Sequence, residues 1–189
     1  MKKVFFAFAF VAASFAVNAQ TTFGLKAGAN LANLKFSGGG LSINADSKFG
    51  LHAGAFATIP ASSNINIQPE AVFSMEGAEF GGEKINLSYV NVPVLFQYHS
   101  SGFFGETGPQ LGLLMAAKSD DEDIKESFET INLSWAVGAG YRLANGLGFN
   151  ARYNLGLSNI AKTEDGDEGS VKSNVFQFGL SFSFGGAKK

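Results

Sequence analysis

From Phe23 onward the chain alternates apolar and polar residues over eight separate stretches. In the first, Phe23, Leu25, Ala27, Ala29 and Leu31 fall on one side, and Gly24, Lys26, Gly28 and Asn30 on the other. A period of two predicts a β-strand with one apolar face, because successive side chains of a pleated chain point to opposite sides. The alternation recurs at residues 49–59, where Pro60 ends it, and at 65–75, 85–98, 106–117, 131–142, 147–157 and 176–184. Within 85–98 the parity switches: Ile85 and Leu87 share one phase, while Val90, Val92, Val94, Phe96 and Tyr98 share the other. One extra residue turns every later side chain over, so the switch predicts a bulge near Ser88. No stretch has the period of an amphipathic helix.

The connections alternate in length. Residues 35–47, 76–84, 118–129 and 159–173 are long and polar, whereas 60–64, 99–102 and 144–146 are short, the last holding the Asn145-Gly146 pair of a tight hairpin. Strict alternation describes an antiparallel up-and-down meander whose two ends meet different environments. The expected fold is all-β, an eight-stranded barrel in a single domain.

The first residues follow a different pattern. Lys2 and Lys3 precede a run of Phe, Ala and Val, and Val17-Asn18-Ala19 places small residues where a signal peptidase cuts. Residues 1–19 are therefore expected to be a cleaved signal peptide and 20–189 the mature barrel. No Cys follows the expected cut, which excludes a lipid-anchored lipoprotein, and the absence of Cys throughout excludes a disulfide scaffold. A net charge of −2 with 16% charged residues leaves no basic field for nucleic acid.

Alternation alone does not say which face is inside, since a soluble lipocalin-like barrel shows the same parity. Three features favour an apolar exterior. The apolar face carries more large side chains than the bore of an eight-stranded barrel could hold. The other face is rich in glycine, including Gly24, Gly28, Gly54, Gly112, Gly140 and Gly179, a poor choice for solvated strands but a relief of crowding inside a tight barrel. That face also holds Lys26, His52, Glu70, Glu106, Arg142 and Arg152, whose charges can pair across a lumen. The expectation is a transmembrane β-barrel of the bacterial outer membrane, with those six residues as a polar network filling the bore. Its termini and short turns would lie in the periplasm, and its four long connections outside the cell.

Catalytic chemistry finds little support. His52 on a polar face, and His99 beside Ser100 and Ser101, have no spacing that assembles a Ser-His-acid site. The acidic runs Asp120-Asp121-Glu122-Asp123 and Glu164-Asp165 with Asp167-Glu168 lack the ligand spacing of an EF-hand and read as solvated loops. No enzyme activity, cofactor or metal site is expected. A small ion or solute channel is the alternative within membranes, and a secreted lipocalin-like barrel binding a hydrophobic ligand is the alternative outside them.

Several segments resemble the PorT-like family of outer membrane β-barrel proteins of Bacteroidetes-type bacteria. Phe23-Gly24-Leu25-Lys26-Ala27-Gly28-Ala29-Asn30-Leu31 is similar to its first strand, and Tyr89-Val90-Asn91-Val92-Pro93-Val94-Leu95-Phe96-Gln97-Tyr98 to a strand built on Tyr-Leu-Glu-Ile-Pro-Leu-Leu. Gly105-Glu106-Thr107-Gly108-Pro109 and Gly138-Ala139-Gly140-Tyr141 fit as well. Asn91 departs from the family pattern, standing where an acidic residue is expected. The resemblance implies an integral outer membrane barrel, inserted by the general barrel insertion machinery and in contact with membrane lipids and lipopolysaccharide. An unknown protein partner would be met through the loops. The resemblance does not fix an activity.

Overall fold

The computed structural model describes residues 21–38, 41–80, 83–119, 122–162 and 169–184. The expected signal peptide, Asp120, Asp121 and the acidic run at 164–168 lie outside them. Eight long strands form the wall: β1 (Thr22–Gly38), β3 (Asp46–Pro60), β4 (Ile65–Phe80), β5 (Glu83–Ser100), β6 (Phe103–Ser119), β8 (Ile131–Arg142), β9 (Leu147–Gly156) and β10 (Ser170–Phe184). Two short strands, β2 (Leu41–Asn44) and β7 (Glu122–Asp123), extend the sheet beside the far ends of β1 and β6. Each wall strand pairs antiparallel with its neighbours, and β1 pairs with both β3 and β10, so the sheet closes on itself.

Register fixes the size of the barrel. Stepping from Leu31 through Phe176, Tyr153, Val137, Thr107, Phe96, Ile67 and Ile59 returns to β1 one step beyond the Thr22–Thr58 pair, a stagger of ten residues. With a rise of about 3.3 Å per residue and about 4.8 Å between strands, that stagger tilts the strands by about 40° and sets a backbone radius of about 8 Å. A bore this narrow is filled by its own side chains.

Large apolar side chains stand exposed around the outside, among them Phe23, Phe49, Phe96, Phe103, Leu133 and Leu180. On β1, β5 and β10 this belt covers residues 23–31, 90–98 and 176–184, nine positions on each strand. About 9–11 tilted residues suffice to cross a bilayer's hydrocarbon core. Aromatic pairs mark both edges: Phe103 meets Tyr141 at 4.7 Å between centroids at the short-turn end, and Tyr153 meets Phe176 at 4.6 Å toward the other.

The strands are longer than their apolar faces predict, and the four connections expected as long polar loops are partly strand. β1 runs to Gly38, β4 to Phe80, β6 to Ser119, and β10 starts at Ser170. In these extensions the pattern turns inside out. Ala32 and Leu34 on β1, Ala78 on β4, Leu87 on β5 and Ala117 on β6 are buried, while Lys35, Lys84 and Lys118 face out.

This inversion explains the parity switch at Ser88 differently from the expected β5 bulge. Ser88 pairs with Ala116 and Tyr89 with Leu114, so the extra residue is Met115, on β6. β5 keeps one parity throughout, with Leu87, Tyr89, Asn91 and Leu95 all buried. Its inward residues change from polar to apolar because the strand leaves the belt. Beyond the bulge Ala117, which alternation puts in the outward phase of Leu111 and Leu113, is fully buried.

Candidate functional site

The interior is layered along the barrel axis, and the inward residues of β1 and β4 give the order. β1 reads Lys26, Gly28, Asn30, Ala32, Leu34, and β4 reads Gln68, Glu70, Val72, Ser74, Glu76, Ala78. Charge comes first, then amides, then a lone carboxylate, then an apolar cap.

The charged layer joins four strands. Glu70 on β4 accepts from Lys26 Nζ on β1 at 3.0 Å and from both terminal nitrogens of Arg152 on β9, at 2.9 and 2.8 Å. Arg152 Nε donates to Glu106 Oε1 on β6 at 2.8 Å. Two cations and two carboxylates thus form a neutral set, all of it buried. Two neutral amides complete the shell: Gln68 Nε2 donates to Glu70 at 2.8 Å and Gln97 Nε2 to Glu106 at 2.8 Å. Such complete pairing is what makes buried charge tolerable.

Of the six residues singled out from the sequence, Lys26, Glu70, Glu106 and Arg152 meet directly. Arg142 lies nearer the short turns and reaches them through Gln68 Oε1 at 3.5 Å, its guanidinium flanked by the Phe56 and Phe104 rings at 5.9 and 5.6 Å. His52 belongs to the next layer, where its Nδ1 and Gln177 Nε2 both contact Asn30 Oδ1, at 2.8 and 3.2 Å. Asn30 Nδ2 donates to Ser74 Oγ at 3.0 Å. The imidazole fits because its neighbours Gly28 and Gly179, directly paired, lack side chains: a Cβ on either would press against the ring, and one on Gly28 also against the Phe178 carbonyl.

His99 contacts Gln97 Oε1 at 3.1 Å beside the turn of Ser101 and Gly102. Neither histidine makes a hydrogen bond to a serine among the described residues. Nor do those residues include a group of three His, Cys, Asp or Glu side chains placed to hold a metal.

Sequence reasoning missed Glu76, because it fell in a stretch expected to be loop; the even-numbered phase Gln68, Glu70, Ser74, Glu76 was the signal. Its carboxylate accepts from Asn91 Nδ2 at 2.9 Å and Ser173 Oγ at 3.2 Å, with no cation paired to it among the described residues. An acidic residue in place of Asn91 would set two carboxylates face to face. Above it Leu34, Leu87, Tyr89, Leu114 and Ile160 pack together, with Ile124 and Phe128 folded against them. Two backbone bonds, Ile124 N to Ala117 O at 3.0 Å and Glu129 N to Ile160 O at 2.8 Å, tie these connections over the barrel end.

Comparison with known proteins fits this geometry. The family described as "Outer membrane protein beta-barrel domain" matches residues 18–162. Among solved structures, Neisserial surface protein A (NspA) is 16% identical with a TM-score of 0.57, over 86% of this chain and 97% of that one. Ail, the attachment invasion locus protein of Yersinia pestis, is 13% identical at 0.48, over 87% and 99%. The outer membrane enzyme PagL is 12% identical at 0.44, over 81% and 98%. No curated protein sequence matches the chain.

Proposed function

Since the chain belongs to the outer membrane β-barrel domain family and so resides in the bacterial outer membrane, we propose that it acts as a closed barrel that displays its connections at the cell surface. The role is structural or interactive and not catalytic. Residues 1–19 are removed on export, the termini and short turns lie in the periplasm, and the ends of β1, β4, β6 and β9 project outside with the connections that follow them. The motifs in β1 and β5 support a PorT-like reading of this barrel. Insertion by the general barrel machinery and contact with lipopolysaccharide follow from the location.

One observation carries the reading: the Arg152 guanidinium holds Glu70 and Glu106 together across the bore. A pore would need these side chains to part, leaving charge unpaired inside a barrel of about 8 Å backbone radius. Reconstitution into planar bilayers is expected to give no stable conductance, and a steady open level would refute the plug. Protease applied to intact cells is expected to cut within residues 118–129 and to spare the 60–64 turn. The reverse pattern would invert the orientation.

A further inference from the structure

Just above the belt, the outward faces of β1 and β10 carry two polar rungs in direct register. Asn33 stands opposite Asn174, and Lys35 opposite Lys172. These residues continue the outward phase of Leu31 and Phe176. Like charges set directly opposite each other destabilise a sheet, yet neither lysine has an acidic partner among the described residues. One rung below, Asn33 Oδ1 is out of water with no hydrogen-bond partner. The lysine rung thus sets two cations side by side with no carboxylate against either among the described residues.

Below the rungs the outer surface is recessed. β1 and β3 present Ala27, Ala29, Ala53 and Ala55 outward, and Phe178 and Leu180 on one side and Phe73 and Met75 on the other rise above them. The result is an apolar trough of about 810 Å³ that continues toward the short turns as a second of about 660 Å³, within the belt.

We propose that this trough and the lysine rung form one binding site for a phosphate-bearing lipid of the outer leaflet, an acyl chain lying on the alanines and the phosphate spanning Lys35 and Lys172. The site rests on the orientation proposed above, which puts the rung at the outer leaflet. Charge complementarity selects the occupant. The corresponding rung between β3 and β4 is Asp46 opposite Glu79, a carboxylate pair that disfavours a phosphate there, whereas the β1–β10 rung sets two lysines face to face. A lipid anchored there neutralises the lysine pair and fills a recess that a smooth belt would lack.

The test uses the protein extracted in its folded form and three probes: diphosphorylated lipid A, the same lipid A dephosphorylated, and inorganic phosphate, with complexes counted by native mass spectrometry. Lipid A is expected to bind and to survive competition by inorganic phosphate, with the dephosphorylated form weaker. Each lysine near an anionic lipid surface contributes on the order of 1 kcal/mol, so the charge-reversing double variant Lys35→Glu/Lys172→Glu should bind at least about 30-fold more weakly. Ala29→Phe/Ala53→Phe, which fills the trough and spares the rung, should also weaken lipid A. Undiminished binding in the lysine variant, or equal binding of the dephosphorylated lipid, overturns the proposal. So does a self-associated form that the alanine variant abolishes while lipid binding persists, since the trough would then hold a second copy. Heat-modifiable migration of each sample separates the two readings: a wild type that fails to show it refutes the barrel reading, whereas a folded barrel indifferent to the lysines refutes the lipid site alone.

Discussion

Replacing Arg152 by Met tests the charged layer most directly. Arg152 makes two bonds to Glu70 and one to Glu106, all between 2.8 and 2.9 Å, and is almost fully buried. Without it, Lys26 faces Glu70 alone and Glu106 keeps only the amide of Gln97. The layer then carries a net negative charge sealed from water. Removing one partner of a buried ion pair costs about 3–5 kcal/mol, far more than the loss of a methylene-sized contact. The double variant Arg152→Met/Glu106→Gln removes the stranded carboxylate too and leaves Lys26 paired with Glu70, so the layer is neutral again and most of that loss is expected to be recovered. Unfolding in urea from lipid vesicles measures both. Trp135 is the protein's single tryptophan, exposed on the belt with its Nε1 donating to Thr107 Oγ1 at 2.9 Å, so its fluorescence reports loss of the lipid contact. A single variant within about 1 kcal/mol of wild type, or a double variant no better than the single, would refute the idea that pairing across the bore governs stability.

Further outcomes follow from other parts of the barrel. Leu180, midway along its belt strand, should cost about 2–4 kcal/mol when changed to Lys, whereas Leu133, next to the outward end of its own, should cost less, as read from the same urea titrations. Gly28→Ala should destabilise by about 1–3 kcal/mol, because the added carbon meets the backbone of β10 as well as the His52 ring. Glu76→Gln removes a buried carboxylate with no cation beside it among the described residues and should raise stability by about 1 kcal/mol or more in the same assay. A decrease would mean that the carboxylate is compensated in a way the hydrogen bonds to Asn91 and Ser173 do not reveal.

Legibility from the sequence tracked the bilayer. Within the belt, lipid on one side and a tight polar bore on the other impose strict alternation, so the phases of β1, β8 and β10 could be read directly, as could Lys26, Glu70, Glu106 and Arg152 as inward charges. Beyond the belt, water replaces lipid and the preferred face reverses. Ile85 and Leu87 then look like outward residues out of phase, and a compensating bulge is assigned to the wrong strand. Alternation cannot tell a reversed environment from an inserted residue; only the pairing of Ser88 with Ala116 and Tyr89 with Leu114 separates them. The same ambiguity concealed Glu76 in a supposed loop. Which charges touch was also illegible: His52 and Arg152 share a phase with Lys26, but stagger around the barrel decides that one reaches Asn30 and the other Glu70.

The reversal of faces beyond the belt also gives the protein two regions that follow different rules. The membrane section tolerates little: its outside must dissolve in fat, and its inside must balance every charge. The part above is built like a small water-soluble protein, greasy at the centre and wetted all round. Substitutions in the exposed connections are therefore absorbed by that upper collar before they can disturb insertion. In the proposed orientation, the connections that follow β1, β4, β6 and β9 can then vary on a stalk that assembles the same way each time.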